Sequence, residues 1–238
     1  MISVCIVARD AATLLPQCLE SIRDLTRDIV IVIDDRTRDE TARVAQKYGA
    51  RVLFHRFIDY ADQKNFAVTL ALHSWILSLD ADESVSPLLA KEISQLNFEV
   101  SAYSVPRHNI IFRKLIHHTN WDPDNVVRLF DRTKAIFVGS VHEQVVVNGK
   151  VIPLKHPLIH QNYSNVEDFI TRMNTYTTYE SQKIKQFSVL NLFFQPVYDF
   201  GRRYIWHAGF LDGWHGLFLS YLQAVYHISV WVKVWQVT

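Results

Sequence analysis

"IVIVIDDRTRDETARVA", residues 29 to 45, runs from an unbroken β-branched segment through paired aspartates into a helical pattern. A strand apolar at every position is buried on both faces, which is the condition of a parallel strand covered by helices above and below. The same alternation extends outward in both directions. Ile2 to Val7 precedes a helical Leu14 to Ile22, Asp28 to Ile33 precedes Asp39 to Tyr48, Arg51 to Phe54 precedes Tyr60 to Leu72, and Trp75 to Leu79 follows. Strands alternating with helices specify an α/β architecture with a mostly parallel central sheet. Ligands of such sheets gather outside the carboxyl ends of the strands. Arg9-Asp10, Asp34-Asp35 and Asp80 to Glu83 therefore share one rim.

Composition bounds the rest. The chain has 238 residues, 49% hydrophobic and 21% charged, enough for one good-sized domain with an appendage. Lys plus Arg number 25 and Asp plus Glu 24, a balance that gives no reason to expect nucleic acid as a partner. Cys5 and Cys18 lie in core segments without CxxC spacing and read as reduced thiols of a cytoplasmic protein. Residues 1 to 4 read directly as strand, with no leader pattern in view. From about Tyr103 to His160 the rhythm turns to strand pieces, Val126 to Phe130, Ile136 to Val138, Val145 to Val147 and Val151 to Leu154, with Asn148-Gly149 reading as a hairpin turn in a mixed or antiparallel half. Val166 to Lys185 is a helix. The expected division is an α/β domain over 1–163 and a helical region over 164–238.

The last 52 residues differ from everything before them. They hold 14 of the 30 aromatic residues but only five formal charges, Asp199, Arg202, Arg203, Asp212 and Lys233. Between Trp214 and Trp235 a thin polar stripe, Gly216, Ser220, Gln223 and His227, opposes a broad apolar face. The pattern fits a helix in the membrane interface, with Arg202 and Arg203 meeting lipid phosphates. An ordinary helical lid or a homo-oligomer contact is the alternative use.

"LDADESVSP", residues 79 to 87, puts three carboxylates at a strand end. Like charges so placed raise one another's pKa unless a cation neutralises them. Asp-x-Asp sends two side chains to one side and suits Mg2+ or Mn2+, which keep further positions for water and phosphate. The bland alternative is that Asp82 and Glu83 lead into a helix capped by Ser86-Pro87.

With "YGARV" at 48 to 52, "DQKNFAV" at 62 to 68, "WDPDNVVRLFDR" at 121 to 132, "VGSVHEQV" at 138 to 145, "PLIHQNYSN" at 157 to 165 and "GFLDGWHGL" at 209 to 217, the chain resembles the family 2 glycosyltransferases of the GT-A fold. The similarity leans toward the bacterial lipopolysaccharide core glucosyltransferases and spans nearly the whole chain. The resemblance implies a Rossmann-like GT-A domain and an inverting transfer from a nucleotide diphosphate sugar, with uridine the usual base, onto a lipid-linked saccharide. Asp34 then meets the nucleobase, Arg9, Lys64 and Asp80 lie at the nucleotide, and Asp82 with His160 ligates the metal. Glu143 or Asp124 serves as the base that takes the acceptor's proton, Glu143 being the first candidate. His142 stands beside it, Trp121 faces a sugar or the core, Asp122 belongs to a turn and Arg128 makes a structural ion pair.

The chain departs from the family at two places. Arg9-Asp10-Ala11-Ala12 stands where relatives have an Asn-Glu pair, and Arg36-Thr37 where they have Gly-Ser. Other readings open at this point are a polyprenyl-phosphate acceptor and a non-catalytic nucleotide-binding membrane scaffold. The expected location is the inner face of the cytoplasmic membrane.

Overall fold

The computed structural model describes residues 1–122, 124–139 and 143–237. In chain order the elements are β1 (Ile2–Ala8), α1 (Leu15–Ser21), β2 (Ile29–Asp34), α2 (Thr41–Lys47), β3 (Arg51–His55), α3 (Tyr60–Thr69), β4 (Trp75–Asp80), β5 (Glu83–Val85) and α4 (Pro87–Ser94). There follow β6 (Ala102–Ile111), β7 (Lys114–Leu115), β8 (Asp124–Asp131), β9 (Ala135–Val138), β10 (Gln144–Val147), β11 (Val151–Pro153) and β12 (Leu158–Tyr163). Helices α5 (Val166–Lys183), α6 (Val189–Gly201) and α7 (Trp214–Val237) end the chain, with a π-helical turn at Arg202–Trp206 and a 3-10 turn at Gly209–Asp212 between the last two.

The sheet runs β3-β2-β1-β4-β8-β6-β12-β5. Its first four strands are parallel, in register Val4 to Ile29, Val30 to Arg51 and Ile2 to Trp75. β8 then enters antiparallel to β4, and the rest of the sheet is mixed. This is the α/β sheet with covering helices expected of the GT-A type. The strand period explains its two cores. Ile29, Ile31 and Ile33 of β2 face one cluster with Leu15 and Leu19, while Val30 and Val32 face another with Ala67 and Phe130. Each such side chain fully buried contributes about 1.5–3 kcal/mol. Ser86 caps α4 by accepting the Leu89 N–H at 3.2 Å, with Pro87 in its first turn, and Asp59 caps α3 through the Asp62 N–H at 2.8 Å.

Asn148-Gly149 does not close a hairpin. β10 pairs with β9, whereas β11 pairs in parallel with β6. The turn is real, since Gly149 sits at φ +126° and a Cβ there would lie 2.1 Å from Ser101 Oγ, but its flanking strands part to different partners.

The chain forms two compact units, residues 1–107 with 124–160, and residues 108–123 with 161–238. The second unit thus recruits 108–123 in addition to the C-terminal helices expected to form it. Within it Ile111, Ile116, Phe169, Met173 and Leu219 form the core. Trp121 belongs to this core, its ring edge-on to Tyr163 at 5.9 Å. Asp122 lies between His108 and His117, at 3.7 and 3.8 Å, and burial raises its carboxyl above the usual range.

Most of the charges near the C-terminal helices of this unit are paired within it. Asp199 is held by Arg202 and Arg203, each at 2.7 Å, with His227 at 3.7 Å. Arg203 also donates to the Thr119 carbonyl at 2.9 Å. Asp212 accepts the His118 N–H at 2.8 Å, and the Lys233 ammonium donates to Asn174, Thr177 and Thr178. Arg202 and Arg203 are thus paired with Asp199, with the Arg202 side chain left about one third exposed. The polar stripe of α7 faces the protein, with Gly216 and Ser220 buried. Phe193, Phe194, Trp206, Trp214, Tyr221 and Trp235 face outward, each more than half exposed.

Candidate active site

The chain leaves β1 for β2 and β3 on one side and returns to β4 on the other, so the strand order reverses at the carboxyl ends of β1 and β4. This switch point is where open α/β sheets bind ligands. Arg9 follows β1, Asp34 ends β2 and Asp80 ends β4. Asp82, Glu83, Lys64, Glu143, Asp124 and His160 belong to the same unit.

The carboxylates of "DADE" are divided between two fates. Asp80 accepts from Lys64 Nζ at 2.7 Å and from Arg128 Nη2 at 2.5 Å. Glu83, whose side chain is shut off from solvent, accepts from Arg128 Nη2 at 2.6 Å and from Arg107 Nη1 at 3.2 Å. It also receives the Asp80 backbone N–H at 3.1 Å, closing the stretch on itself. Arg128 arrives on antiparallel β8 and Arg107 on β6, so cations distant in sequence neutralise the strand end. Burial pushes the Asp80 carboxyl up, but Arg128 and Lys64 outweigh it and hold the group far below the ordinary carboxylate range. Burial works against the Arg128 charge, and Asp80 with Glu83 more than restores it.

Asp82 has the other fate. Among the described residues no lysine or arginine pairs with it, and its partner is His160, Nε2 to Oδ2 at 3.5 Å. A carboxylate oxygen suits Mn2+ or Mg2+ and an imidazole nitrogen suits them less well, and the pair supplies two donors only. No group of three His, Cys, Asp or Glu among the described residues is placed to hold a metal. The pair therefore fits a cation whose remaining ligands are water and the donor's phosphates.

Lys64 is almost fully buried on α3, and its ammonium also donates to Glu143 Oε1 at 2.6 Å. It bridges the β4 strand end to the first candidate base. Asp124, the second candidate, is half exposed and ion-paired with Arg107, its antiparallel register partner. His142 lies outside the described residues. Arg107 went unread in the sequence; it follows Pro106 in a segment without an alternating pattern, and only the pairing of β6 with β8 brings it to Glu83.

At β2, Arg36 grips Asp34 through its backbone N–H and Nε to Oδ1, both at 2.9 Å, and through Nη2 to Oδ2 at 2.7 Å. Arg9 Nε stands 3.9 Å from the same carboxylate. The hydrogen bonds from Arg36 keep the Asp34 carboxyl below its ordinary range. Residues 36 and 37 take no left-handed φ, so the turn runs without the glycine relatives carry. Asp10 does adopt φ +46° and accepts the Arg38 N–H at 2.8 Å. Ala11 and Ala12 donate backbone N–H groups to Thr41 and Asp39, tying the loop after β1 to the loop after β2.

A sheet of this topology with charged residues at its switch point is the architecture of an α/β enzyme. The model of glycosyl transferase family 2 matches residues 3–155, and the chain belongs to that family; it is a glycosyltransferase. It is 26% identical over 237 residues to an uncharacterized glycosyltransferase of Rickettsia conorii, covering 90% of this chain and 83% of that one. It is also 26% identical over 257 residues to the lipopolysaccharide core biosynthesis glycosyltransferase LpsC of Rhizobium meliloti, covering 99% and 92%. Residues 1–349 of S. aureus TarS in complex with UDP superpose with a TM-score of 0.48 at 12% identity, covering 100% of this chain and 92% of that one.

Proposed function

We propose that the chain is an inverting, metal-dependent hexosyltransferase. It moves a sugar from a nucleotide diphosphate donor onto a lipid-linked saccharide of the lipopolysaccharide core type, at the inner face of the cytoplasmic membrane. The observation that carries this reading is Asp82 with His160, set apart from the cation network beside the switch point. The metal they would hold, Mn2+ or Mg2+, supplies charge for the diphosphate leaving group. Asp34, gripped by Arg36, and Arg9 line the base end of the pocket, and Asp80 and Lys64 shape the pocket beneath the diphosphate. Glu143 takes the acceptor hydroxyl's proton at Oε2, its Oε1 being engaged by Lys64. The acceptor oxygen bonds to the anomeric carbon as the bond to the diphosphate oxygen breaks, with inversion. Uridine is the base the family resemblance implies.

The membrane assignment rests on the outward aromatics of α6 and α7 and on the inward pairing of every charge among them. α7 is long and apolar enough to cross a bilayer by length and composition. A helix with one face held by protein and the other aromatic sits equally well in the interface plane. The nearest second reading is a polyprenyl-phosphate acceptor, and the Lys64–Glu143 pair favours it, because an ionised phosphate asks little of a base already held by a cation.

Calorimetry with a panel of nucleotide diphosphates, with and without Mn2+, tests the donor site. Binding that requires the metal and disappears in Asp82→Asn supports it. Nucleotide binding that ignores both the metal and the substitution removes the metal from the account.

A further inference from the structure

The loop after β2 carries a consequence for donor choice, one that rests on the donor-site reading above. We infer that Arg36 selects the nucleobase, and that it selects for two adjacent hydrogen-bond acceptors, O6 and N7 of guanine or O2 and N3 of cytosine, over uracil.

The Asp34 side chain is 4% exposed and has about four acceptor positions. Arg36 fills three of them through its backbone N–H, Nε and Nη2. The fourth lies under Arg9. The Arg36 guanidinium itself is half exposed, and its plane is steadied 4.9 Å from the centroid of the Phe57 ring. Releasing Asp34 to an incoming base would strip a buried carboxylate of its partner, which is the costly way to break such a pair. The surface presented to a base is therefore the outer N–H edge of Arg36. That edge offers donors alone.

Uracil brings its N3–H against those donors and leaves it without an acceptor, while one carbonyl makes a single bond. Guanine and cytosine each present two neighbouring acceptors with the spacing of the guanidinium fork, the pairing by which arginine reads guanine in nucleic acids. Adenine sets one acceptor beside a donor and gains only one bond. A residue that replaces glycine without needing its backbone freedom and that occupies the acid expected to read uracil changes what the pocket reads.

The test titrates the full chain with GDP, CDP, UDP and ADP in the presence of Mn2+, then repeats the series with Arg36→Lys and Arg36→Gly. The expected result is GDP or CDP bound about tenfold more tightly than UDP, the worth of one unsatisfied donor. Lysine keeps the charge but lacks the fork, so Arg36→Lys should narrow that gap to about threefold or less. Arg36→Gly, by freeing Asp34, should turn the preference toward UDP. UDP bound most tightly by the unmodified chain, with the order unchanged by substitution, overturns the inference and leaves the donor site standing. No nucleotide bound by the unmodified chain overturns both. Thermal unfolding confirms that each variant is folded, and if neither is, the order in the unmodified chain decides alone.

Discussion

The two units handle charge in opposite ways. In the first, apolar residues fill the interior and one interlocked set of ion pairs, Asp80, Glu83, Lys64, Arg107 and Arg128, lies at the carboxyl rim of the sheet. In the second, Asp199 and Asp212 are buried against their partners while Phe193, Trp206 and Trp214 face out. A buried network in the first unit holds charge in one geometry, as the proposed donor site requires. Paired charges beneath an aromatic surface are what the proposed membrane face requires.

The first way to sharpen this contrast is at the base. Glu143→Gln should lower kcat by about 10²–10⁴-fold with nucleotide affinity retained, the range of general base catalysis. Steady-state kinetics with a hydroxyl acceptor measure it, and a variant as active as the parent moves the base from Glu143 to Asp124. Next comes the rim itself. Arg128 is buried with Asp80 and Glu83, and Arg128→Met leaves the wholly buried Glu83 short of a partner. The expected loss is about 3–5 kcal/mol in denaturant unfolding; an unchanged midpoint would mean that the network is ornamental.

Acid should break the first unit in a defined direction. Asp34 and Asp80 titrate in the folded chain below their ordinary value of about 3.9. Their contribution is thus fully present above roughly pH 4 and lost as the pH falls below it. Thermal midpoints recorded from pH 7 down to pH 2 should hold and then drop, and a rise on acidification would contradict the pairing. The smallest effect on stability belongs to the second unit. Trp206→Ser, at a residue 83% exposed, should change folding by no more than about 0.5 kcal/mol while reducing flotation with anionic liposomes. Loss of stability with undiminished flotation would reverse the reading of that surface.

Much of the first unit was legible because buried parallel strands announce themselves as apolar runs, as in β1, β2 and β4. β6 was not, since Pro106, Arg107, His108 and Asn109 interrupt any alternation. Asn148-Gly149 has the chemistry of a tight turn, but turn chemistry is local and says nothing about which strands pair beyond it. The cluster at 80 to 83 was legible as acidic and as needing a cation. Its actual neutralisers, Lys64, Arg107 and Arg128, come from three other elements, and only the strand order brings them together. In the second unit the excess of aromatics was plain, whereas the fate of Arg202 and Arg203 depended on Asp199 lying one turn before them on the same helical face.

In the proposed donor site Asp82, spared by the cations that neutralise its neighbours, holds the donor's metal together with His160. Mn2+ paramagnetic resonance of the chain, recorded with and without a nucleotide diphosphate and repeated for Asp82→Asn and His160→Ala, tests it most directly. The expected protein-bound Mn2+ signal needs the nucleotide and is lost or weakened at least about tenfold in both variants. A bound signal of full strength in Asp82→Asn would contradict it.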